Sequence, residues 1–417
     1  MDTTTDSLGP EAWRETTIAE FPGRAMFTTF GVLNDDGSEQ RAVVSSTHVR
    51  DGHIRTPPGN TAHPPDVRPT RATLQEGDLV VVLVRRTGDA ALVTAHHSGW
   101  TATRSVGIIR AAPHIVRWLQ IWLQTPTARA WIDEEVTAHV EPTLSLDSLR
   151  RMPFPLPPAS TIARFHRAIS LIEEKTTLNR AAALATSELC DAMHAEWTSN
   201  SATWETRRLG EVTKAKSGTG SAKSLAPRSE ASGIDGITPT DLLELSLPYV
   251  RRSGLCSSGD TRATCPPGTI LLTTRPTGAH VAVTPRLASP ARGVLAVRPQ
   301  NPVDTWWLLH ELRSRSSAIV GATQGQNGRE ISAGAFSRLS IAWPDVSIRT
   351  RFHELTDPLH AMAMQLDSEI STLSELKDAI LRDISARANM LSPRDPDAEA
   401  DGISLRPSVD TTAAAPP

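Results

Sequence analysis

The feature that most limits what this chain can fold into is an internal repeat. Residues 164–193 read RFHRAISLIEEKTTLNRAAALATSELCDAM, and residues 351–380 read RFHELTDPLHAMAMQLDSEISTLSELKDAI. Arg164-Phe165-His166 recurs as Arg351-Phe352-His353, Ser187-Glu188-Leu189 as Ser374-Glu375-Leu376, and Asp191-Ala192 as Asp378-Ala379, all at one offset of 187 residues (351 − 164). Self-similarity of this kind constrains the whole fold, because each copy has to solve the same burial problem.

The repeat extends upstream. Trp13 aligns with Trp204, Ile18 with Leu209 and Glu20 with Glu211, at an offset of 191 (204 − 13). The strand-like run Gly77-Asp78-Leu79-Val80-Val81-Val82-Leu83 aligns with Gly268-Thr269-Ile270-Leu271-Leu272, and Arg86-Thr87-Gly88 with Pro276-Thr277-Gly278. Trp118-Leu119 and Leu123 align with Trp307-Leu308 and Leu312, at 189 (307 − 118). Offsets that drift between 187 and 191 are what loop insertions in a duplicated unit produce. The order is globular unit, helix, globular unit, helix.

Both repeated blocks have helical periodicity. In the second, Phe352, Leu355, Leu359, Met362, Leu366, Leu373, Leu376 and Ile380 recur at 3-4 spacing, the seam of a coiled coil or helical hairpin. In the first, Ile162, Phe165, Ile169 and Ile172 start the seam and Ala182, Ala185, Leu189 and Met193 resume it. Thr176 and Asn179 interrupt it, and Glu369 weakens the other. Pro358 is expected to start the main second helix with Asp357 as its cap, since proline is accepted in a first turn. About 30 residues at 1.5 Å each make a rod of roughly 45 Å. Neither rod buries its seam alone, so the two are expected to pack antiparallel.

The globular units predict an α+β (mixed α/β) class. In the second, the Trp204–Val212 segment leads to a Gly/Ser-rich stretch at 216–220. A short apolar segment at 237–242 follows, then strands at Thr269–Thr274 and Val294–Val297, a helix at Asp304–Ser314, and a polar loop at 324–329. The unbroken run LVVVLV (79–84) predicts core strands buried on both faces. Trp118, Trp306 and Trp307 are expected in the core. The expected boundaries are 13–158 and 204–348 for the globular units, 159–203 and 349–390 for the helical spacers, and 391–417 for an acidic disordered tail.

Composition narrows the function classes. The 417 residues contain no apolar run of membrane-span length, and the start, MDTTTDSLGPEAW, lacks a leader's basic and apolar regions. A cytoplasmic protein is expected. Three cysteines, Cys190, Cys256 and Cys265, form no metal or disulfide spacing. Net charge is −3, which argues against indiscriminate nucleic-acid binding. Yet residues 205–348 hold 17 basic and 11 acidic side chains (+6), while 13–150 hold 14 and 15 (−1). The basic residues are mostly Arg, which suits bidentate contacts to guanine and phosphate.

Motifs for catalysis are sparse. GTGSAKS (218–224) imitates a phosphate-binding loop but has Ala222 and Ser217 where the glycines belong, and no strong strand leads into it. It reads as a surface loop whose Lys214, Lys216 and Lys223 can meet phosphates. His96-His97 has no metal-ligand spacing nearby and reads as a surface or DNA-facing pair. Asp133-Glu134-Glu135 reads as a solvated helix face. There is no dinucleotide fingerprint, nucleophile elbow or nuclease carboxylate–lysine cluster.

Two such units, each closed by a Pro-rich strand and a long helix, resemble the specificity subunit of type I restriction–modification enzymes. The residues that carry the resemblance are Trp204 with Leu209-Gly210-Glu211-Val212, the strand after Gly268, Ile331-Ser332 through Leu339-Ser340-Ile341-Ala342-Trp343-Pro344, and in the first unit Leu149-Arg150-Arg151-Met152-Pro153-Phe154-Pro155-Leu156-Pro157-Pro158. The match covers roughly residues 13–390. Unit one departs from it, with Ile18-Ala19 in place of Leu-Gly and no glycine-rich stretch.

The resemblance implies a non-catalytic reader of double-stranded DNA. Each globular unit would be a target recognition domain for half of a split site. The paired helices would set the separation and dock DNA methyltransferase subunits and, where present, restriction/translocase subunits. S-adenosylmethionine and ATP would sit on those partners and none on this chain. Candidate DNA-facing residues in unit two are Lys214, Lys216, Lys223, Arg251, Arg252, Arg275, Gln324, Gln326, Asn327 and Arg329; in unit one, Arg50, Arg55, Arg85, Arg86, His96 and His97. Gln and Asn can read adenine and Arg guanine in the major groove. Two other readings stay open: a non-catalytic protein–protein adaptor with helical arms, and a stand-alone DNA-modifying enzyme.

Overall fold

The first residues of each globular unit pair with the segment that leads into its long helix. In the second unit Glu205–Arg208 runs antiparallel to Ser340–Trp343, with Trp343 opposite Glu205. In the first, bridges join Arg14 to Leu156 and Thr17 to Pro153. The offsets are those of the repeat, 191 for Arg14 to Glu205 and 187 for Leu156 to Trp343, so the duplication holds to the register of this pairing. The computed structural model describes residues 13–20, 27–30, 42–55, 71–137, 141–199, 203–219, 225–227, 234–251, 255–257, 264–275, 278–319 and 331–391.

Each unit is built on a four-stranded antiparallel sheet of one topology. In the first unit the spatial order is Phe27–Phe30, Val106–Arg110, Leu79–Val82, Ala90–Leu92. In the second it is Thr213–Ser217, Val294–Pro299, Thr269–Arg275, Gly278–Thr284. Both faces are covered, as the apolar runs predict. Leu79 and Val81 join the helices' core, while Val80 and Val82 face a second cluster with Val44, Val49 and Trp100. Likewise Ile270 and Leu272 face the helices, and Leu271 faces Ile237, Leu242 and Val250. That second layer differs between the units. Unit one has a hairpin, Val49–Arg50 with His53–Ile54, turned by Asp51 (φ 50°) and Gly52 (φ 78°), the two left-handed residues that a tight hairpin loop needs. Unit two has a small sheet of Leu225–Pro227, Leu255–Ser257, Ile234–Ile237 and Ala288–Pro290.

The long helices are Ala159–Thr198 and Val346–Asn389. The chain divides into two units, Met1–Glu173 with Ser374–Pro417, and Glu174–Leu373, and this division cuts through both helices. Within the first unit, Ile162 and Ile169 share a core with Leu381, Ile384 and Ala388, and Lys377 pairs with Glu173 at 2.7 Å. Within the second, Trp197 meets Phe352 at 5.5 Å between ring centroids, and Asn179 meets Glu369. Residue numbers rise on one helix as they fall on the other, so the helices run antiparallel in each unit.

Two expectations change. Pro358 does not begin the second helix but lies inside it, 12 residues after Val346 (358 − 346). The start is fixed instead by Asp345, whose carboxylate accepts from the Ser347 amide at 3.2 Å, and by Arg349, which pairs with Asp304 and lies 4.6 Å over the Trp343 ring. Asp357 caps nothing; it accepts from the Trp306 indole at 2.8 Å. Tertiary packing on both sides of the proline outweighs its local cost. The polar seam positions are also matched: the Asn179 amide donates to the Glu369 carboxylate at 2.8 Å, with Lys175 at 3.5 Å. A polar pair at such a position fixes register.

In each unit an aromatic triad ties a core helix, Pro113–Trp122 in the first and Thr305–Ser314 in the second, to the unit's first segment and to a long helix. Trp118 takes Trp13 at 5.8 Å and Phe165 at 6.0 Å; Trp307 takes Trp204 at 5.4 Å and Phe352 at 5.1 Å. Trp118 and Trp307 are fully buried. Replacing either with Ala should cost its own unit about 3–5 kcal/mol. Hydrogen exchange by mass spectrometry checks this. Trp118→Ala should expose Leu79–Val82 to exchange and spare Ile270–Leu272, with the reverse for Trp307→Ala. Equal loosening of both sheets by either change contradicts two separate cores.

Candidate nucleic-acid interface

Strand Thr213–Ser217 is an edge strand of the second unit's sheet. It includes the start of the Gly/Ser-rich stretch, which is therefore ordered sheet up to Ser217 rather than surface loop. Gly218 continues the pairing through its amide, 2.8 Å from the Val294 carbonyl. A Cβ there would sit 2.2 Å from the Ala291 carbonyl oxygen, so this glycine permits a close backbone approach. Alternation turns Ala215 to the core and leaves Lys214 and Lys216 exposed. Lys214 lies directly opposite exposed Arg298 on the neighbouring strand. Like charges across a strand pair repel, and among the described residues no acid neutralises the three. Such a cationic edge fits phosphate oxygens.

The equivalent place in the first unit is chemically different. Register equates Arg110 with Arg298, Asp78 with Thr269, Phe27 with Lys214 and Thr29 with Lys216. In unit one the Arg110 guanidinium donates twice to the Asp78 carboxylate, at 2.5 Å each, and Asp78 is buried. That bidentate bond raises the arginine further above its ordinary range. In unit two the acid is replaced by Thr269, whose hydroxyl donates to the Pro266 carbonyl at 2.7 Å. Arg298 was not among the residues singled out in the sequence. Its signal was the position of an Arg at an outward step of the otherwise apolar strand VLAVRP.

The other candidates sort by their partners. Arg86 donates to the Ser46 carbonyl at 2.7 Å and the Val49 carbonyl at 2.8 Å, anchoring the hairpin from below. Arg251 holds the Asp367 carboxylate of the second helix at 2.6 Å. These two guanidiniums are engaged inside the chain. Arg85 is exposed, has φ 72°, and pairs with Glu141 at 3.0 Å. Arg50 is exposed on the hairpin and Arg55, also exposed, pairs with Asp51 across its turn. The histidine pair divides. His96 is exposed, while His97 is buried with Nδ1 3.0 Å from the Thr94 hydroxyl and its ring 5.1 Å from Trp100. Burial pushes the His97 pKa down, with His96 adding to it. Arg275 ends strand Thr269–Arg275, opposite Gly278, and its side chain lies outside the described residues. Lys223, Arg252, Gln324, Gln326, Asn327 and Arg329 also lie outside them.

Arg251→Ala should destabilise the second unit by about 1–3 kcal/mol, because Asp367, only 7% exposed, loses its charged partner. Chemical denaturation checks this. An unchanged midpoint would free Arg251 for a surface role.

No protein-family model and no curated protein sequence matches the chain. Solved structures do. The S subunit of a type I restriction–modification system from M. genitalium superposes with a TM-score of 0.53 at 11% identity, over 89% of this chain and 96% of that one. A structure concerned with complex assembly and conformational transition of the type I R-M system gives 0.43 at 19% identity, over 89% and 97%. The HsdS subunit from Thermoanaerobacter tengcongensis gives 0.34 at 19%, over 89% and 96%. The first superposition spans both units and their helices, and this chain has the fold of the type I restriction–modification S subunit.

Proposed function

We propose that the chain is the specificity subunit of a type I restriction–modification complex. It reads a bipartite DNA site, one half with each globular unit, and docks DNA methyltransferase subunits and, where present, restriction/translocase subunits. It carries out no catalysis of its own; S-adenosylmethionine and ATP belong to the partners. The observation that supports this best is the duplication itself: one sheet topology twice, each with a core helix tied by an equivalent aromatic triad to a long helix. Two similar readers joined by stiff helices suit a split site, because the spacing between half-sites is a geometric property of the protein.

Within that reading, Lys214, Lys216 and Arg298 of unit two contact phosphates and position the duplex, while bases are read by polar side chains at the groove edge. Arg252, Arg275, Lys223, Gln324, Gln326, Asn327 and Arg329 stay the candidates there, with Arg50, Arg55, Arg85 and His96 in unit one. The Asp78–Arg110 pair favours a second reading, in which unit one binds a protein and the chain is an adaptor. Among the described residues no helix is long and apolar enough to cross a membrane.

The test uses the chain assembled with methyltransferase subunits. A footprint with two protected patches and an unread gap supports the bipartite reader; no footprint from an assembled complex favours the adaptor. Lys214→Ala, Lys216→Ala and Arg298→Ala should each weaken binding to all sequences alike and flatten the log affinity–log salt slope by about one. Thr269→Asp should have the same effect as Arg298→Ala by restoring the acid of unit one. Salt titrations of binding check both, and an unchanged slope removes the edge strand from the interface.

A further inference from the structure

The second unit encloses a polar cluster that DNA reading does not use. The first long helix contributes Cys190 and Asp191, the helix Thr305–Ser314 contributes His310 and Arg313, and the second long helix contributes His360. Cys190, His310 and His360 are no more than 1% exposed. The two imidazoles point Nε2 at Nε2 across 3.1 Å. The Cys190 sulfur and one ring nitrogen of each histidine lie within 4.8 Å of one another. Each ring is held from behind: His310 Nδ1 is 2.6 Å from the Asp191 carboxylate, and His360 Nδ1 is 2.8 Å from the Tyr249 hydroxyl. Arg313 in turn grips Asp191 at 2.7 Å, and Trp306 stacks on His360 at 3.9 Å.

We propose that Cys190 Sγ, His310 Nε2 and His360 Nε2 bind one Zn2+-class cation that staples the three helices together. One thiolate and two imidazoles are the donor set of a borderline-soft divalent ion. Zinc bond lengths place tetrahedral nitrogen ligands about 3.4 Å apart and nitrogen and sulfur about 3.6 Å apart. The nitrogen pair already stands near that spacing, and the sulfur needs only to move inward. The Asp191–His310 and Tyr249–His360 contacts are the outer hydrogen bonds by which metal-binding histidines are oriented. Burial favours the neutral imidazoles that can ligate and pushes the Cys190 thiol up to about 11, so a bound cation has to displace the thiol proton. A cleft of about 520 Å³ lined by Asp191, His194, His310 and Arg313 reaches the outer side of this cluster.

The competing account is a metal-free hydrogen-bond chain: the Tyr249 hydroxyl donates to His360 Nδ1, His360 Nε2–H to His310 Nε2, and His310 Nδ1–H to Asp191. It satisfies every nitrogen and gives Cys190 no task. The full chain, stripped with a chelator and checked for retained fold by circular dichroism, separates the two when titrated with Co2+. One equivalent bound with a thiolate-to-cobalt charge-transfer band, displaced by Zn2+, is the expected result. Cys190→Ser should abolish that band, and Tyr249→Phe should lower affinity roughly 10–100-fold while keeping it. A folded wild-type chain that binds no Co2+, or binds it without the charge-transfer band, overturns the proposal in favour of the hydrogen-bond chain. That outcome leaves the DNA reading untouched, since the footprint does not depend on this cluster.

Discussion

The structure depends on one contact made twice, a tryptophan on the core helix pressed between an aromatic of the unit's first segment and an aromatic of a long helix. Trp118 between Trp13 and Phe165, and Trp307 between Trp204 and Phe352, join three parts of the chain far apart in sequence. Three of the four contacts are edge-on and Trp118–Phe165 is tilted at 31°; such packing combines wide apolar burial with a preferred geometry, so the triad fixes both that the core helix docks on the long helix and how. In unit one the lock is tightened by the Trp118 indole, which donates to the Pro155 carbonyl at 2.8 Å. The Pro-rich closing segment is thereby held against the same tryptophan.

Once that frame is set, the two copies are free to differ elsewhere, and they differ where charge is displayed. At equivalent register Asp78 stands against Thr269, Phe27 against Lys214 and Thr29 against Lys216, so the second unit carries a cationic edge on the same strand order. The charge contrast between the halves of the sequence has this local origin in part. Duplication supplies the scaffold, and divergence at equivalent register, down to the buried step held by Asp78 in one unit and Thr269 in the other, gives the two units different charge.

Much of this was legible from residue patterns. The repeat offsets predicted two units with one order of pieces, and the run at Leu79–Val82 predicted two-sided burial; that Arg14 meets Leu156 as Glu205 meets Trp343 came only with the structure. The misses share a cause, which is that partners distant in sequence decide the outcome. Pro358 obeyed its helical neighbours and not its own propensity. Asn179 and Glu369 each looked like a flaw until paired. Arg86 and Arg251 looked free because sequence displays a charge but not the carbonyls or carboxylate that occupy it. The division of each long helix between two units is a property of packing that periodicity does not encode.

The central proposal is that the two repeated units each read one half of a split DNA site. Methylation-site sequencing of DNA from cells that express the chain with its methyltransferase partner tests it most directly. The account predicts one motif made of two short half-sites separated by a gap of fixed length and free sequence. A single uninterrupted motif, or half-sites at variable spacing, from an assembled and active complex contradicts it.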